Sequence, residues 1–141
     1  MKSIYVLCTI ITLFIIIIAI CIIKRKTYIP SPVIQRLKYK LSLIDPYFST
    51  FDIREGSSSF TQNKSTIYIC IEDPKTKQIY DDNVLMYVCL HECAHMLTHY
   101  DKYDEHHKTF KMVMNDLLKK ATILGLYDPR YSVPPTYCGL K

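Results

Sequence analysis

Residues 84–98 read VLMYVCLHECAHMLT, a run without glycine, proline or a basic residue other than histidine. Its leading part, Val84, Leu85, Met86, Val88 and Leu90, is apolar nearly all round a helix, so the segment must be buried. Asp81-Asp82-Asn83 precedes it and supplies an N-cap. A central helix from about Val84 to about Thr98 is therefore expected. Within it stand His91, Glu92 and His95. A helix turns about 100° per residue, which puts the two imidazoles about 40° apart, one turn above the other. Polar groups on such a buried helix cost several kcal/mol unless they find partners. A shared metal ion is one such partner.

His91-Glu92-Cys93-Ala94-His95 is the HExxH pattern of zinc peptidases. Both rings can reach one Zn²⁺ at about 2.0–2.1 Å. Glu92 lies at the border of their face, where it can act on a water without binding the metal, the place of a general base. A catalytic zinc usually takes a third protein ligand. His99 lies about 12 Å along the axis from His91 on an unbroken helix and is rejected. Asp101, Asp104, Glu105, His106 and His107 remain as candidates. Asp101 stands where another zinc-peptidase pattern has its last histidine, but Thr98 replaces the glycine that turns the chain there. His106 is the preferred choice. It opens the next helix after a loop long enough to reverse direction, and a helix start favours neutral imidazole. His107 points about 100° away, to solvent.

The rest of the domain reads as α+β. Val33, Ile34, Leu37, Leu41 and Ile44 follow a helical period, ended by Asp45-Pro46. Phe48 to Ile53 is a candidate strand. Ser65 to Ile71 alternates, with Ile67, Ile69 and Ile71 on one face. Its edge could receive an extended substrate. Asp104 is a possible cap for a last helix carrying Phe110, Val113, Met114, Leu117, Leu118, Ala121 and Leu124, and Gly125 suits its end. The following segment is rich in proline and tyrosine.

Residues 4–23 carry no charge and are dominated by isoleucine, with Lys24-Arg25-Lys26 directly after. As one helix they would span about 30 Å, enough to cross a bilayer. An uncleaved anchor is expected, because the run is long for a signal peptide and Ala19-Ile20-Cys21 is a poor cleavage site. The flanking charges favour a cytoplasmic C-terminal domain, or the virion interior if the chain is viral. Cys70, Cys89, Cys93 and Cys138 are scattered without a CxxC pair, which suggests reduced thiols. Cys93 reads as a buried thiol, and Cys138 as a thiolate that could block the metal only if the tail approaches it. The net charge is +5, much of it near the apolar run, and the later lysines mix with acids. That argues against direct nucleic-acid binding. Low glycine, no tryptophan and abundant isoleucine, lysine and tyrosine suit an AT-rich genome.

The HECAH run, a loop, and then His106-His107-Lys108-Thr109-Phe110 resemble the SprT-like and WLM metallopeptidase families. Their pattern is HExxH followed by a third histidine in an HxxxF element opening the next helix. The resemblance covers about residues 33–126 and implies a minimal zincin-like domain. In it, a small antiparallel or mixed sheet packs on the HExxH helix and a following helix. It implies Zn²⁺ on His91, His95 and His106, Glu92 as catalytic residue, and Phe110 packed behind. The chain departs from these families: His107 stands where glycine is frequent, and no four-cysteine ribbon is present. Their DNA–protein crosslink repair therefore carries over poorly.

The expected organisation is a transmembrane anchor with basic flank (1–26), a linker (27–32), the metallopeptidase domain (33–126) and a tail (127–141). The expected function is membrane-anchored hydrolysis of a protein or peptide substrate. The alternative is a degenerate zinc-binding membrane scaffold. Tyr103, Tyr127, Tyr131 and Tyr137 are available phenols for an oxyanion, though packing explains each more simply. A small tethered copy of this kind suits a large DNA virus or a bacterium.

Overall fold

The computed structural model describes residues 10–18, 28–98, 106–131, 134 and 137–139. Residues 10–18 form helix α1. Helix α2 spans Pro32–Ile44, and a 3-10 turn follows over Pro46–Thr50. Strands β1 (Asp52–Glu55), β2 (Phe60–Gln62) and β3 (Thr66–Ile69) come next. Helices α3 (Asp82–Leu97) and α4 (Lys108–Ile123) complete the fold, with a short 3-10 turn at Tyr137–Gly139. The architecture is α+β: four helices and a small mixed sheet among the described residues.

The transmembrane expectation is overturned. Among the described residues no helix is long and apolar enough to cross a membrane. The described part of helix α1, residues 10–18, measures about 14 Å against the roughly 30 Å of a bilayer core. An uncharged run sets what a segment could bury, whereas spanning needs continuous helix. The isoleucines of this run are β-branched and weaken helix propensity. The rest of the run, within residues 1–9 and 19–27, lies outside the described residues. The single-pass location and the membrane contact through residues 4–23 fall with the span.

Helix α2 begins where Ser31 accepts a hydrogen bond from the Ile34 N–H at 3.4 Å and Pro32 takes the first position. Its buried face is Val33, Ile34, Leu37 and Leu41. Burying each of the last three stabilises by about 1.5–3 kcal/mol. The expected strand over Phe48–Ile53 starts later. Asp45 accepts from the Tyr47 N–H at 2.9 Å and, with Pro46, winds the chain into the 3-10 turn first.

The sheet order is β1-β3-β2. β1 runs parallel to β3 with Ile53 opposite Ile67, and β2 runs antiparallel with Thr61 also opposite Ile67. Asn63 and Lys64 both have φ +49°, the left-handed pair at the centre of a turn closed by the Ser65 N–H on the Gln62 carbonyl, within a three-residue connection. The strand read from Ser65–Ile71 is thus the centre of the sheet and has no edge to offer. Ile53, Ile67 and Ile69 pack with the α2 face and with Leu85, Met86, Cys89, Leu90 and Cys93 of α3 into one core.

α3 is buried as its composition demands, with Asp81 as N-cap accepting from the Asn83 N–H at 2.7 Å. Asp82 pairs with Arg36 at 2.6 Å and Lys40 at 2.8 Å, tying α2 to the start of α3. Partial burial would raise its pKa, but Lys40 and Arg36 together hold it low. α4 closes with Gly125 at φ +69°. The Leu126 N–H reaches the Ala121 carbonyl and the Gly125 N–H reaches that of Thr122, a Schellman end.

The chain after α4 folds back on the domain. Asn83 accepts from the Asp128 N–H at 2.6 Å and donates to the Asp128 carbonyl at 3.0 Å. The expectation of reduced cysteines is corrected: Cys70 and Cys138 form a disulfide, 68 residues apart in sequence. Two cysteines so far apart meet through tertiary structure, which local spacing does not encode. Cys89 and Cys93 are free and buried.

Candidate metal centre

Helix geometry stacks His91 and His95 as their spacing requires, with Nε2 atoms 3.2 Å apart. His106 Nε2 is also 3.2 Å from His91 Nε2. The three ligand nitrogens lie within 4.8 Å of one another. A tetrahedral ion with bonds of 2.0–2.1 Å spaces its ligand atoms by about 3.3 Å. His91 stands at about that spacing from both other ligand atoms, and three imidazoles are a donor set that zinc takes. His91 and His95 are half-buried, whereas His106 is exposed. Phe110 lies against all three imidazoles, its ring centroid 5.0 Å from His91, 4.4 Å from His95 and 4.7 Å from His106.

Burial pushes the His91 pKa down to about 4, and the neighbouring His95 and His106 add to the shift. The ring is then neutral at ordinary pH, the form that binds a metal. Glu92 is 6% exposed. Burial raises its pKa to about 7, opposed by a hydrogen bond from Thr61. A carboxyl balanced near neutrality suits proton transfer in both directions.

The third-ligand candidates separate clearly. His106 joins the other two histidines, but from a turn before α4 and not from the helix itself. His107, expected to face solvent, is the N-cap of α4, its Nδ1 accepting from the Phe110 N–H at 3.3 Å. Asp104, expected as that cap, lies outside the described residues together with Asp101, Glu105, His99 and Tyr103. Cys138 is bonded to Cys70 and is no thiolate. The Tyr137 hydroxyl is buried against the Cys70 carbonyl at 2.5 Å and Ser59 Oγ at 2.8 Å, so it is committed to packing. Tyr127 rests against Tyr87, and Tyr131 is exposed.

Sequence reasoning missed Thr61. Its Oγ1 lies 2.9 Å from Glu92 Oε2 and 3.1 Å from the Glu92 carbonyl oxygen. It also missed Lys64, whose ammonium donates to the Thr98 carbonyl at the end of α3. A cation there suits the helix dipole. The Asn63-Lys64 turn, between two runs rich in β-formers, was the available signal.

No family model and no solved structure matches the chain. The chain is 39% identical over 93 residues to "Uncharacterized protein 042R" of Invertebrate iridescent virus 3, covering 66% of this chain and 57% of that protein. It is 37% identical over 117 residues to "Uncharacterized protein 136R" of Invertebrate iridescent virus 6, covering 77% and 63%. It is 33% identical over 112 residues to "Uncharacterized protein R325" of Acanthamoeba polyphaga mimivirus, covering 78% and 55%. The chain thus spans between 55% and 63% of the length of these relatives. Their names state a viral source and no activity.

Proposed function

We propose that this chain is a zinc-dependent peptidase related in chemistry to the SprT-like and WLM enzymes, hydrolysing peptide bonds of protein substrates. The observation that carries the reading is the meeting of three imidazole nitrogens, one of them on the residue that directly precedes the buried Glu92 in α3. A site that served only structure would have no use for that carboxylate.

His91, His95 and His106 would hold Zn²⁺ through Nε2. A bound zinc supplies a Lewis acid and lowers the pKa of its water toward about 7. Glu92 takes a proton on its carboxylate and returns it to the leaving amine. Phe110 packs against the imidazoles and excludes water from that side. β2 is at the sheet edge and carries Thr61 to Glu92. An extended peptide pairing with β2 would run beside the carboxylate, the role expected earlier of Ser65–Ile71.

The test uses the purified full chain. Zinc is measured by elemental analysis, and cleavage is followed on an unfolded protein substrate. About one zinc per chain is expected, with cleavage lost on chelation and restored by zinc. Failure to bind zinc removes the reading. Zinc without cleavage across varied substrates reduces it to a structural site.

His106→Ala should weaken zinc by more than the 10–100-fold typical of losing an outer partner of a metal site. His107→Ala should keep zinc and cost about 1 kcal/mol of stability through loss of the α4 cap. Competition with a zinc chelator and urea denaturation measure the two effects. Equal zinc affinity in both variants would exclude His106 as a ligand.

A further inference from the structure

Thr61 stands at the middle of β2, with both of its Oγ1 contacts on one residue of α3, Glu92. We propose that Thr61 is a positioning residue for Glu92: its hydroxyl holds Oε2 and thereby fixes where the other carboxylate oxygen points. The proposal rests on the reading of Glu92 as the proton carrier.

The need for such a residue follows from the glutamate side chain. Its last torsion is broad and roughly two-fold, so the helix backbone alone does not orient the carboxylate. Packing around a 6% exposed side chain limits its volume, but a directed bond is what selects a rotation. Thr61 supplies that bond from a strand, not from a loop. Its backbone is fixed opposite Ile67 in the sheet. The hairpin turn beyond it is anchored where Lys64 meets the Thr98 carbonyl. Sites carried on such elements hold tighter geometry.

The hydroxyl is also the right chemical group. It has one proton to donate and two lone pairs to accept with. Toward a carboxylate it donates to Oε2. Toward a carboxylic acid it accepts, and its own proton turns to the Glu92 carbonyl oxygen 3.1 Å away. The hydroxyl and Oε2 thus keep each other as partners in both forms that the proposed chemistry passes through. Lysine at this place, a donor only, would favour the carboxylate. Valine has nearly the same shape and would serve neither.

A plain stitch between strand and helix would need only the bond to the Glu92 carbonyl, so the test must read the carboxyl itself. The full chain is labelled with carboxyl-¹³C glutamate and studied metal-free by NMR. The Glu92 resonance is the one missing in Glu92→Gln. Thr61→Val is expected to shift that resonance, and Thr61→Ser to leave it near its wild-type position. In the zinc-loaded protein, Thr61→Val should lower kcat by about tenfold or more, the size of one hydrogen bond to a charged group. KM and zinc content should stay unchanged, and Thr61→Ser should restore kcat. A Glu92 resonance unmoved in Thr61→Val overturns the proposal. So does an unchanged kcat, or an equal loss in Thr61→Ser. If the wild type binds zinc and cleaves nothing, the peptidase reading fails. The carboxyl resonance then still decides whether Thr61 holds Glu92.

Discussion

Replacing Glu92 with glutamine is expected to lower kcat about a thousandfold while zinc stays bound. The estimate sits within the 10²–10⁴ that a positioned proton carrier contributes. Glutamine keeps the size of the side chain and an oxygen for Thr61, but it cannot take up a proton. His91, His95 and His106 are untouched, so elemental analysis should find the metal at its wild-type level. The same substitution has a signature in the metal-free protein. The pKa of Glu92 is raised by burial from 4.5 to about 7, so the folded state holds a proton that the unfolded state has released. The Glu92 contribution to stability therefore falls as pH rises from about 4.5 to about 7, by up to roughly 3 kcal/mol, against the opposite contribution of His91, whose depressed pKa adds stability as pH rises from about 4 to 6.5. Glutamine cannot ionise, so relative to wild type the variant should lose this decline and keep the rise due to His91. Urea denaturation of metal-free protein at pH 5 and pH 8 measures it. A variant that loses zinc, or that cleaves at the wild-type rate, would deny Glu92 its role.

Removing the bridge between Cys70 and Cys138 is expected to cost about 4 kcal/mol. The estimate comes from the entropy of closing a loop across 68 residues in the unfolded chain. That is a large share of the 5–15 kcal/mol by which domains are usually stable. The bridge is supported on both sides by hydrogen bonds. The Tyr80 hydroxyl accepts from the Cys138 N–H at 2.8 Å, and Ser59 Oγ accepts from the Cys70 N–H at 2.9 Å. Cys89 and Cys93 should not exchange into it. Both are buried, and burial raises their thiols well above the usual range. Urea denaturation with and without reductant should show the loss in wild type. The double variant Cys70→Ser/Cys138→Ser should start lower and ignore the reductant. A change under about 1 kcal/mol in wild type would mean that the bridge adds no constraint.

Much of the candidate site was legible because helices announce themselves locally. α3 showed its cap in Asp81, its burial in its composition and its chemistry in the spacing of His91 and His95. α4 showed its apolar period and its end at Gly125. His106 was legible as a histidine after a loop long enough to turn back. The sheet was harder. β2 is three residues long, too short for alternation to stand out, and β1 was misplaced because Asp45-Pro46 wound the chain first. An imidazole as helix cap was not foreseen, since His107 competes with the more usual Asp104 for that part. The contact of Thr61 with Glu92 and the pairing of Cys70 with Cys138 join residues 31 and 68 apart. Such pairings exist only once the layers have packed. The isoleucine-rich run misled because hydropathy measures appetite for burial, whereas a span needs long continuous helix, which the described residues do not contain.

The hairpin touches α3 at two stations, Thr61 on Glu92 and Lys64 on Thr98. Thr61 reaches the helix from strand β2, and Lys64 reaches its end from the turn through a long side chain. Strand and turn are thereby held at two marks on the helix, like a scale laid beside it. A residue inserted between positions 61 and 64 would push this scale out of phase with the helix. Thr61 or Lys64 would then lose its mark, and the outward and inward faces of β3 would exchange. The loop around residues 73–77 lies beyond the scale and has no such constraint from α3. Length variation in chains of this kind should accumulate there and be absent from the turn that measures the helix.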